Sequence, residues 1–166
     1  MNVVFIFARS GSKGLKNKNI KKLGNKHLVG WIINAAKKSK YINRIIVSTD
    51  SKKYAKISKK YGAEVPFMRP ARLSNDIVSA TEVIKHTITK LKFNGIVVLL
   101  QPTSPLRTTK HIDESLRECL KNKDAKSLVS VTQIPAWMSP EFCKKIDNQG
   151  MLRDIKKSER ISNRQE

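Results

Sequence analysis

The apolar residues of this chain fall into two patterns that alternate along the sequence. Short runs of β-branched and aliphatic residues, typical of buried strands, occupy residues 3–7, 44–48, 64–67, 96–100 and 127–131. Between them, apolar residues recur at intervals of three and four, which predicts helices over about 28–38, 54–61, 84–91 and 112–120. Strands that alternate with helices predict an α/β fold, in which helices cover a mostly parallel sheet.

Polar residues and glycine mark where the helices begin and end. Gly62 is placed to end the second helix, and Ser79 or Thr81 is placed to begin the third. Asp50 or Ser51 is expected to cap the second helix. This interpretation is favoured over a place for Asp50 beside a ligand or metal.

Two strands and one helix carry expectations about burial. Residues 96–100 are apolar at every position, which predicts a central parallel strand buried on both faces. Pro66 indicates that the predicted strand at 64–67 either lies at an edge of the sheet or ends early. Helical spacing places Trp31 in the core.

Polar loops follow three of the predicted strands, over residues 8–19, 68–78 and 101–107. Parallel sheets bind ligands at the carboxyl ends of their strands, so these loops are expected to meet at one rim. The loop 8–19 combines Gly11 and Gly14 with several cations, which suits a phosphate group. It matches neither the P-loop nor the dinucleotide fingerprint, and a solvated basic loop is the alternative.

The charge balance raises nucleic-acid binding as a rival function. The chain has 34 Lys and Arg against 13 Asp and Glu, a formal net charge of +21. However, the lysines are spread along most of the chain, no nucleic-acid-binding motif occurs, and only 6% of residues are aromatic. A polyanionic small ligand is therefore expected rather than a specific nucleic acid.

Three sequence features bear on the compartment. No apolar run is long enough to span a bilayer, and the N-terminus lacks the basic region of a signal peptide. The two cysteines, Cys119 and Cys143, form neither a disulfide framework nor a metal-binding spacing. A cytoplasmic protein without a membrane partner is expected.

Four segments, taken together, resemble the acylneuraminate cytidylyltransferases, which include the CMP-sialic acid synthetases and relatives that act on other nonulosonic acids. The segments read ARSGSKGLKNKNI at 8–20, IIVSTD at 45–50, YGAEVPFMRPA at 61–71 and LLQPTSPLRT at 99–108. The loop alone would be a weak match, but the order and separation of all four segments are specific. The resemblance covers nearly the whole chain.

The resemblance implies a Rossmann-like nucleotidyltransferase fold and a reaction that uses Mg²⁺. In that reaction the anomeric oxygen of a sialic-type sugar acid attacks the α-phosphorus of CTP, which yields a CMP-sugar and pyrophosphate. Positioned cations and N–H donors would stabilise the negative charge that grows on the pyrophosphate. The resemblance also implies a part in the biosynthesis of cell-surface polysaccharides.

Individual residues match the functional positions of the family. The nucleotide-binding positions are matched by Arg9, Ser12, Lys18, Asn19, Arg69 and Ser79. The sugar-binding positions are matched by Gln101 and Arg164. Arg9, Lys18 and Arg164 are the candidate catalytic residues, with Arg9 and Lys18 in charge stabilisation.

The family's sequences continue beyond the end of this chain, into a segment that packs in a dimer and carries acidic ligands for Mg²⁺. Residues 1–166 are therefore expected to form one cytidylyltransferase domain, the N-terminal portion of such an enzyme. Residues 132–166 would begin a sugar-binding and dimerisation region. No metal ligand is expected within the chain, so weak or no turnover is expected from it, and a homodimer only at full length.

Two alternatives remain. The CMP-KDO synthetases are the nearest relatives outside the sialic-type branch, but they usually carry an acidic residue where this chain has Gln101-Pro102-Thr103. A truncated, inactive nucleotide-binding domain is the second alternative. The sugar acid stays open among N-acetylneuraminate, legionaminate, pseudaminate and other nine-carbon acids.

Overall fold

The computed structural model describes residues 1–122, 124–133, 135, 138 and 143–154. Contacts divide the chain into two units, residues 1–128 and 129–166. The strands of the first unit are β1 (Asn2–Phe7), β2 (Lys22–Leu23), β3 (Lys26–His27), β4 (Arg44–Ser48) and β5 (Ile96–Leu100). Its helices are α1 (Leu28–Lys37), α2 (Lys52–Lys60), α3 (Ala80–Leu91) and α4 (Thr109–Lys121), with 3₁₀ turns at Lys18–Ile20 and Ala71–Leu73.

A parallel sheet of three strands, in the order β4–β1–β5, forms the centre of the first unit. Side chains alternate between the two faces of a strand, so β1 contributes to a core on each side. Val4 and Ile6 pack with residues of α1 and α4, whereas Val3 and Phe5 pack with residues of α3. The predicted α/β architecture, with helices on a parallel sheet, is confirmed.

The prediction of a doubly buried central strand at 96–100 is wrong. β5 has β1 as its one neighbour among the described strands, and only Leu100 at its end is fully buried. The central place belongs to β1, whose residues from Val3 to Ile6 are completely buried. An apolar run indicates burial but does not say which strands will flank it.

Residues 64–67 do not form the predicted strand. Glu64 and Met68 each make an isolated parallel bridge, to Ile46 and Thr49 respectively. Pro66 lies between the two bridges and has no N–H to donate, so a continuous ladder cannot form. The segment nevertheless runs along the outer side of β4, where Glu64 N–H donates to the carbonyl of Ile45 at 2.8 Å.

The strand predicted at 127–131 is also absent from the part of the chain that the structure describes. The side chains of Val129 and Val131 are 77% and 91% exposed. A strand needs a neighbour that pairs with its backbone groups, and β-branched composition alone does not provide one.

Helices α2, α3 and α4 begin at side-chain caps, as the sequence predicts for α2 and α3, whereas α1 begins without one. Ser51 caps α2 by accepting a hydrogen bond from the Tyr54 N–H at 3.4 Å, and Gly62 follows this helix with a φ of +96°. Thr108 caps α4. Among the described helices, none has both the length and the apolar character needed to cross a membrane.

The buried face of helix α1 does not include Trp31, so the prediction that Trp31 lies in the core is wrong. Trp31 lies against the β2–β3 hairpin instead of in the core, and its Nε1 donates to the Leu23 carbonyl at 2.9 Å. The buried face includes Gly30, where an added Cβ would stand 2.5 Å from the Tyr61 ring. The Tyr61 hydroxyl accepts a hydrogen bond from the His27 N–H at 3.2 Å, which fixes the start of α1.

The second unit is described mainly through one antiparallel hairpin, formed by β6 (Lys144–Ile146) and β7 (Leu152–Asp154). Asp147 organises its turn, because Oδ1 accepts from the N–H groups of Gln149 and Met151, both at 2.9 Å. Arg153, paired with Oδ2 at 2.9 Å, is the main cause that lowers the pKa of Asp147. A sugar-binding and dimerisation role for 132–166 stays a prediction.

An ion pair between β4 and the 64–67 segment predicts a dependence of stability on pH. Arg44 Nε and Nη2 donate to the two carboxylate oxygens of Glu64 at 3.0 and 2.7 Å, which lowers the pKa of Glu64. A carboxyl group with a lowered pKa stabilises the fold above its unfolded pKa, and this contribution is lost as pH falls through the folded pKa. Glu64→Gln should therefore reduce the free energy of unfolding by under about 1 kcal/mol at pH 7.

Urea unfolding at pH 7 and at pH 3 measures this difference. The gap between wild type and Glu64→Gln should narrow from pH 7 to pH 3, because the stabilisation by ionised Glu64 is lost as pH falls through its folded pKa. An equal gap at both pH values would contradict the assignment to ionised Glu64.

Candidate active site

One cavity of about 360 Å³ lies at the carboxyl edge of the parallel sheet. Its lining includes most of the residues that the sequence singled out, namely Arg9, Ser12, Lys18, Asn19, Arg69 and Gln101. Phe7 and Leu99, at the ends of β1 and β5, supply an apolar part of the wall. The three polar loops therefore meet as predicted, while the role of each residue stays a prediction.

The loop after β1 is fastened to the end of β4 by a carboxylate. Asp50 Oδ1 accepts from the Ser10 N–H at 2.8 Å, and Oδ2 accepts from the Ser10 hydroxyl at 2.7 Å. Asp50 therefore uses both oxygens to hold the loop and does not cap α2. Its place directly after a strand, opposite a cation-rich loop, is the sequence signal that could have indicated this role.

The glycines of this loop are not required by its backbone conformation. Neither Gly11 nor Gly14 has a positive φ, and an added Cβ would meet nothing within 4 Å at either position. The expected use of glycine to turn N–H groups towards a ligand is thus not visible here. The loop is held instead by the contacts of Ser10 with Asp50, and its cations are the features that suit a phosphate.

Asn19 and Lys18 lie in the 3₁₀ turn that follows the loop. Asn19 is buried, and its Nδ2 donates to the carbonyl of Arg9 at 3.0 Å, which ties the two cavity-lining stretches together. Asn17 precedes this turn in the left-handed region, and its Oδ1 accepts from the Tyr54 hydroxyl at 3.3 Å. These contacts leave the half-buried Lys18 side chain facing the cavity.

Arg69 is the most unusual polar residue of the cavity. It is 6% exposed, yet its Nε and Nη2 are buried without a hydrogen-bond partner among the described residues. Burial lowers the pKa of Arg69, and the positive charge of Arg9 adds to this effect, whereas Asp50 opposes it. A buried unpartnered guanidinium is costly, and such groups are normally satisfied by an acceptor.

A second arginine of the chain, Arg44, shows what kind of group a guanidinium can bind through Nε and Nη2. Arg44 uses the same pair of atoms, Nε and Nη2, to hold both oxygens of Glu64. Arg69 lines the cavity, and its Nε and Nη2 are buried with no protein acceptor among the described residues. An acceptor with two neighbouring oxygen or nitrogen atoms fits such a pair of donors.

Asp76 is a second carboxylate that the sequence interpretation did not single out. Its Oδ1 pairs with Arg9 Nη2, and its Oδ2 lies 3.0 Å from Lys13 Nζ. Arg9, followed by Lys13, lowers the pKa of Asp76. The residue lines the cavity, but its partners stand more than 60 positions away in the sequence, so no local pattern reveals the contact.

The remaining predicted residues have different surroundings. Ser79 caps α3 in a capping box with Glu82, and its neighbours Val78 and Ala80 line the cavity while Ser79 does not. Gln101 lies at the end of β5 with an exposed side chain, and its Oε1 accepts from the Thr103 hydroxyl at 3.4 Å. Arg164 lies outside the described residues.

The described residues do not form a metal site. No group of three or more His, Cys, Asp or Glu side chains among them is arranged to hold a metal ion. The two carboxylates near the cavity are engaged, Asp50 by Ser10 and Asp76 by Arg9 and Lys13. These residues therefore do not fit Mg²⁺ as a set of protein ligands.

A family model described as cytidylyltransferase matches residues 3–161. The chain belongs to this cytidylyltransferase family. The curated proteins that it resembles agree with the match. It is 40% identical over 131 residues to the N-acylneuraminate cytidylyltransferase of Escherichia coli O18:K1:H7, which covers 79% of this chain and 31% of that protein.

A second cytidylyltransferase relative is the CMP-N,N'-diacetyllegionaminic acid synthase of Legionella pneumophila. It is 39% identical over 153 residues, which cover 87% of this chain and 62% of the relative. The chain thus spans less than two thirds of the length of either relative.

Solved structures of cytidylyltransferases share the fold. A CMP:2-keto-3-deoxy-manno-octonic acid synthetase solved in complex with CTP superposes with a TM-score of 0.64 at 20% identity, covering 74% of this chain and 48% of that chain. A cytidylyltransferase from Leptospira borgpetersenii gives a TM-score of 0.58 at 26% identity, covering 74% and 50%. The predicted nucleotidyltransferase type of α/β fold is confirmed.

Proposed function

We propose that the whole protein transfers CMP from CTP to a sialic-type nonulosonic sugar acid and releases pyrophosphate. The cavity carries this proposal, because it joins the cations Arg9 and Lys18 to the unpartnered guanidinium of Arg69. The names of the Escherichia and Legionella relatives, both similar over most of this chain, support a sugar acid of this class.

In the proposed reaction, the anomeric hydroxyl oxygen of the sugar forms a bond to the α-phosphorus, and its proton passes to solvent. The bond from that phosphorus to the bridging oxygen of the β-phosphate breaks, and pyrophosphate leaves with the added negative charge. Arg9 and Lys18 would face the phosphates and stabilise this charge. Gln101, at the end of β5, and Arg164 would contact the sugar acid.

Mg²⁺ is part of the proposal as a companion of the nucleotide. When bound, it would neutralise phosphate charge, as Mg²⁺ commonly does through substrate phosphates. The described residues offer no ligand set for it, so its protein ligands are not assigned. A homodimer at full length and a part in cell-surface polysaccharide biosynthesis are proposals that rest on the family resemblance. A cytoplasmic location is a proposal that rests on the cysteine content and the N-terminal sequence.

Calorimetric titration of CTP in the presence of Mg²⁺, with ATP and GTP as controls, tests the nucleotide part of the proposal. Wild type should bind CTP selectively. Arg9→Ala and Lys18→Ala should each weaken binding by about tenfold, because each removes a charged donor to phosphate. Lys56→Ala, which removes an exposed lysine of α2 away from the cavity lining, is the matched control.

Two results would count against the site. Equal affinity of both cavity variants and wild type for CTP would show that the nucleotide binds elsewhere. Salt-sensitive DNA or RNA binding that CTP does not displace would favour the nucleic-acid alternative.

A further inference from the structure

Asp76 holds Arg9, a cation that the proposed function assigns to the phosphates of the nucleotide, together with its neighbour Lys13. One oxygen of its carboxylate pairs with Arg9, and the other pairs with Lys13 at 3.0 Å. Both cations belong to the loop after β1, and Arg9 and Asp76 both line the cavity. A carboxylate therefore stands where the phosphate oxygens of a bound nucleotide would have to stand.

An ordered turn presents this carboxylate. Asn75 Oδ1 accepts hydrogen bonds from the N–H groups of Ile77 and Val78 at 3.0 and 3.1 Å. Ser79 follows at once as the cap of α3. The backbone around Asp76 is thus fixed on both sides by local hydrogen bonds, and the contact with Arg9 spans 67 positions of sequence.

The cations around the cavity fall into two groups. Arg9 is paired with Asp76, whereas Lys18 has no ion pair among the described residues and Arg69 keeps two unpartnered nitrogen atoms. Lys18 and Arg69 therefore need not release a protein carboxylate before a ligand binds. Arg9 and Lys13 must exchange one anion for another, because a carboxylate and a phosphate offer similar acceptors to the same donors.

We propose that Asp76 is an internal competitor of the phosphate chain, which leaves Arg9 and Lys13 when the triphosphate binds and returns to them when pyrophosphate departs. The inference rests on the proposed function. Each exchange replaces two ion pairs by two others, so it reduces the net affinity of the site for both substrate and product phosphates. The residue would thereby favour release of pyrophosphate at the end of the reaction.

Asp76→Asn tests this inference, since the amide keeps the shape of the side chain and removes its charge. The variant should bind inorganic pyrophosphate and CTP about three- to fivefold more tightly than wild type. CMP has no β- or γ-phosphate to compete with Asp76, so its affinity should change by less than about twofold. A purely structural role predicts the opposite sign, because damage to the loop would weaken all these ligands.

Two further variants separate competition from other causes. Glu114→Gln removes the charge of a carboxylate that pairs with Lys110 on the exposed side of α4, and it should leave all affinities unchanged. In an Arg9→Ala background, Asp76→Asn should lose most of its effect on pyrophosphate, because one partner of the competition is gone.

The pyrophosphate measurement also separates this inference from the proposed function. Tighter pyrophosphate binding by Asp76→Asn without selectivity for CTP would support competition while contradicting cytidylyl transfer. Selective CTP binding with unchanged or weaker phosphate binding in Asp76→Asn would overturn the competition and leave the proposed function standing. No binding of pyrophosphate by either protein would also overturn it.

Discussion

Arg69→Met is expected to weaken CTP binding by about 30- to 100-fold without loss of stability in the ligand-free protein. Arg69 is buried, and two of its guanidinium nitrogen atoms have no partner among the described residues. Methionine resembles the aliphatic stem of arginine and is apolar, so it removes the two unpartnered donors and the buried charge. A buried charge without a hydrogen-bond partner costs free energy, so its removal is expected to offset the packing that the shorter side chain loses.

Two measurements on Arg69→Met establish the separation between binding and folding. Calorimetry with CTP should show the loss of affinity, while urea unfolding without ligand should show a free energy of unfolding that is unchanged or raised by up to about 1 kcal/mol. Arg72→Met, in the same segment but exposed, should change neither quantity. Matched losses of stability and affinity in Arg69→Met would instead identify Arg69 as a support of the fold.

Asp50→Ala is expected to lower the free energy of unfolding by about 2–3 kcal/mol and to weaken CTP binding by about tenfold. The substitution leaves the N–H and hydroxyl of Ser10 without their acceptor at the end of β4. It also removes the negative charge that partly compensates the buried Arg69. Both effects act on the loop that contributes Arg9 and Ser12 to the cavity, so folding and binding should be affected together.

Two milder variants measure how much each hydrogen bond between Asp50 and Ser10 contributes to stability. Asp50→Asn keeps one oxygen acceptor for Ser10, and Ser10→Ala removes only the hydroxyl bond, so each should reduce stability by about 1 kcal/mol. Combined in one chain, the two variants should lose less than the sum of their separate losses, because they share a hydrogen bond. Wild-type stability in Asp50→Ala would contradict the fastening role of this carboxylate.

Local sequence signals predicted the elements that depend on local interactions. The strand at 44–48 has the predicted bounds, and Ser51, Ser79 and Gly62 act at the helix ends as their chemistry suggests. The predictions that failed depended on neighbours from elsewhere in the chain. β5 pairs with one neighbouring strand among the described strands rather than with two, and residues 127–131 pair with none of them.

The cavity was predictable in outline because the carboxyl ends of parallel strands share one edge of the sheet. The resemblance then supplied Arg9, Lys18 and Arg69, which the structure brings together. Asp76 and the Ser10 contact of Asp50 were not predictable in the same way. They join loops 40 or more positions apart, and a short polar motif carries no information on such pairing.

The contact between Gly30 and Tyr61 has a consequence for how related chains can vary. An added methyl group at position 30 would stand 2.5 Å from the Tyr61 ring, and that ring also holds His27 through its hydroxyl. Any side chain at 30 therefore calls for a smaller residue at 61, and the His27 contact would then be lost. The two positions should co-vary among relatives that keep this packing, with glycine at 30 wherever an aromatic ring occupies 61.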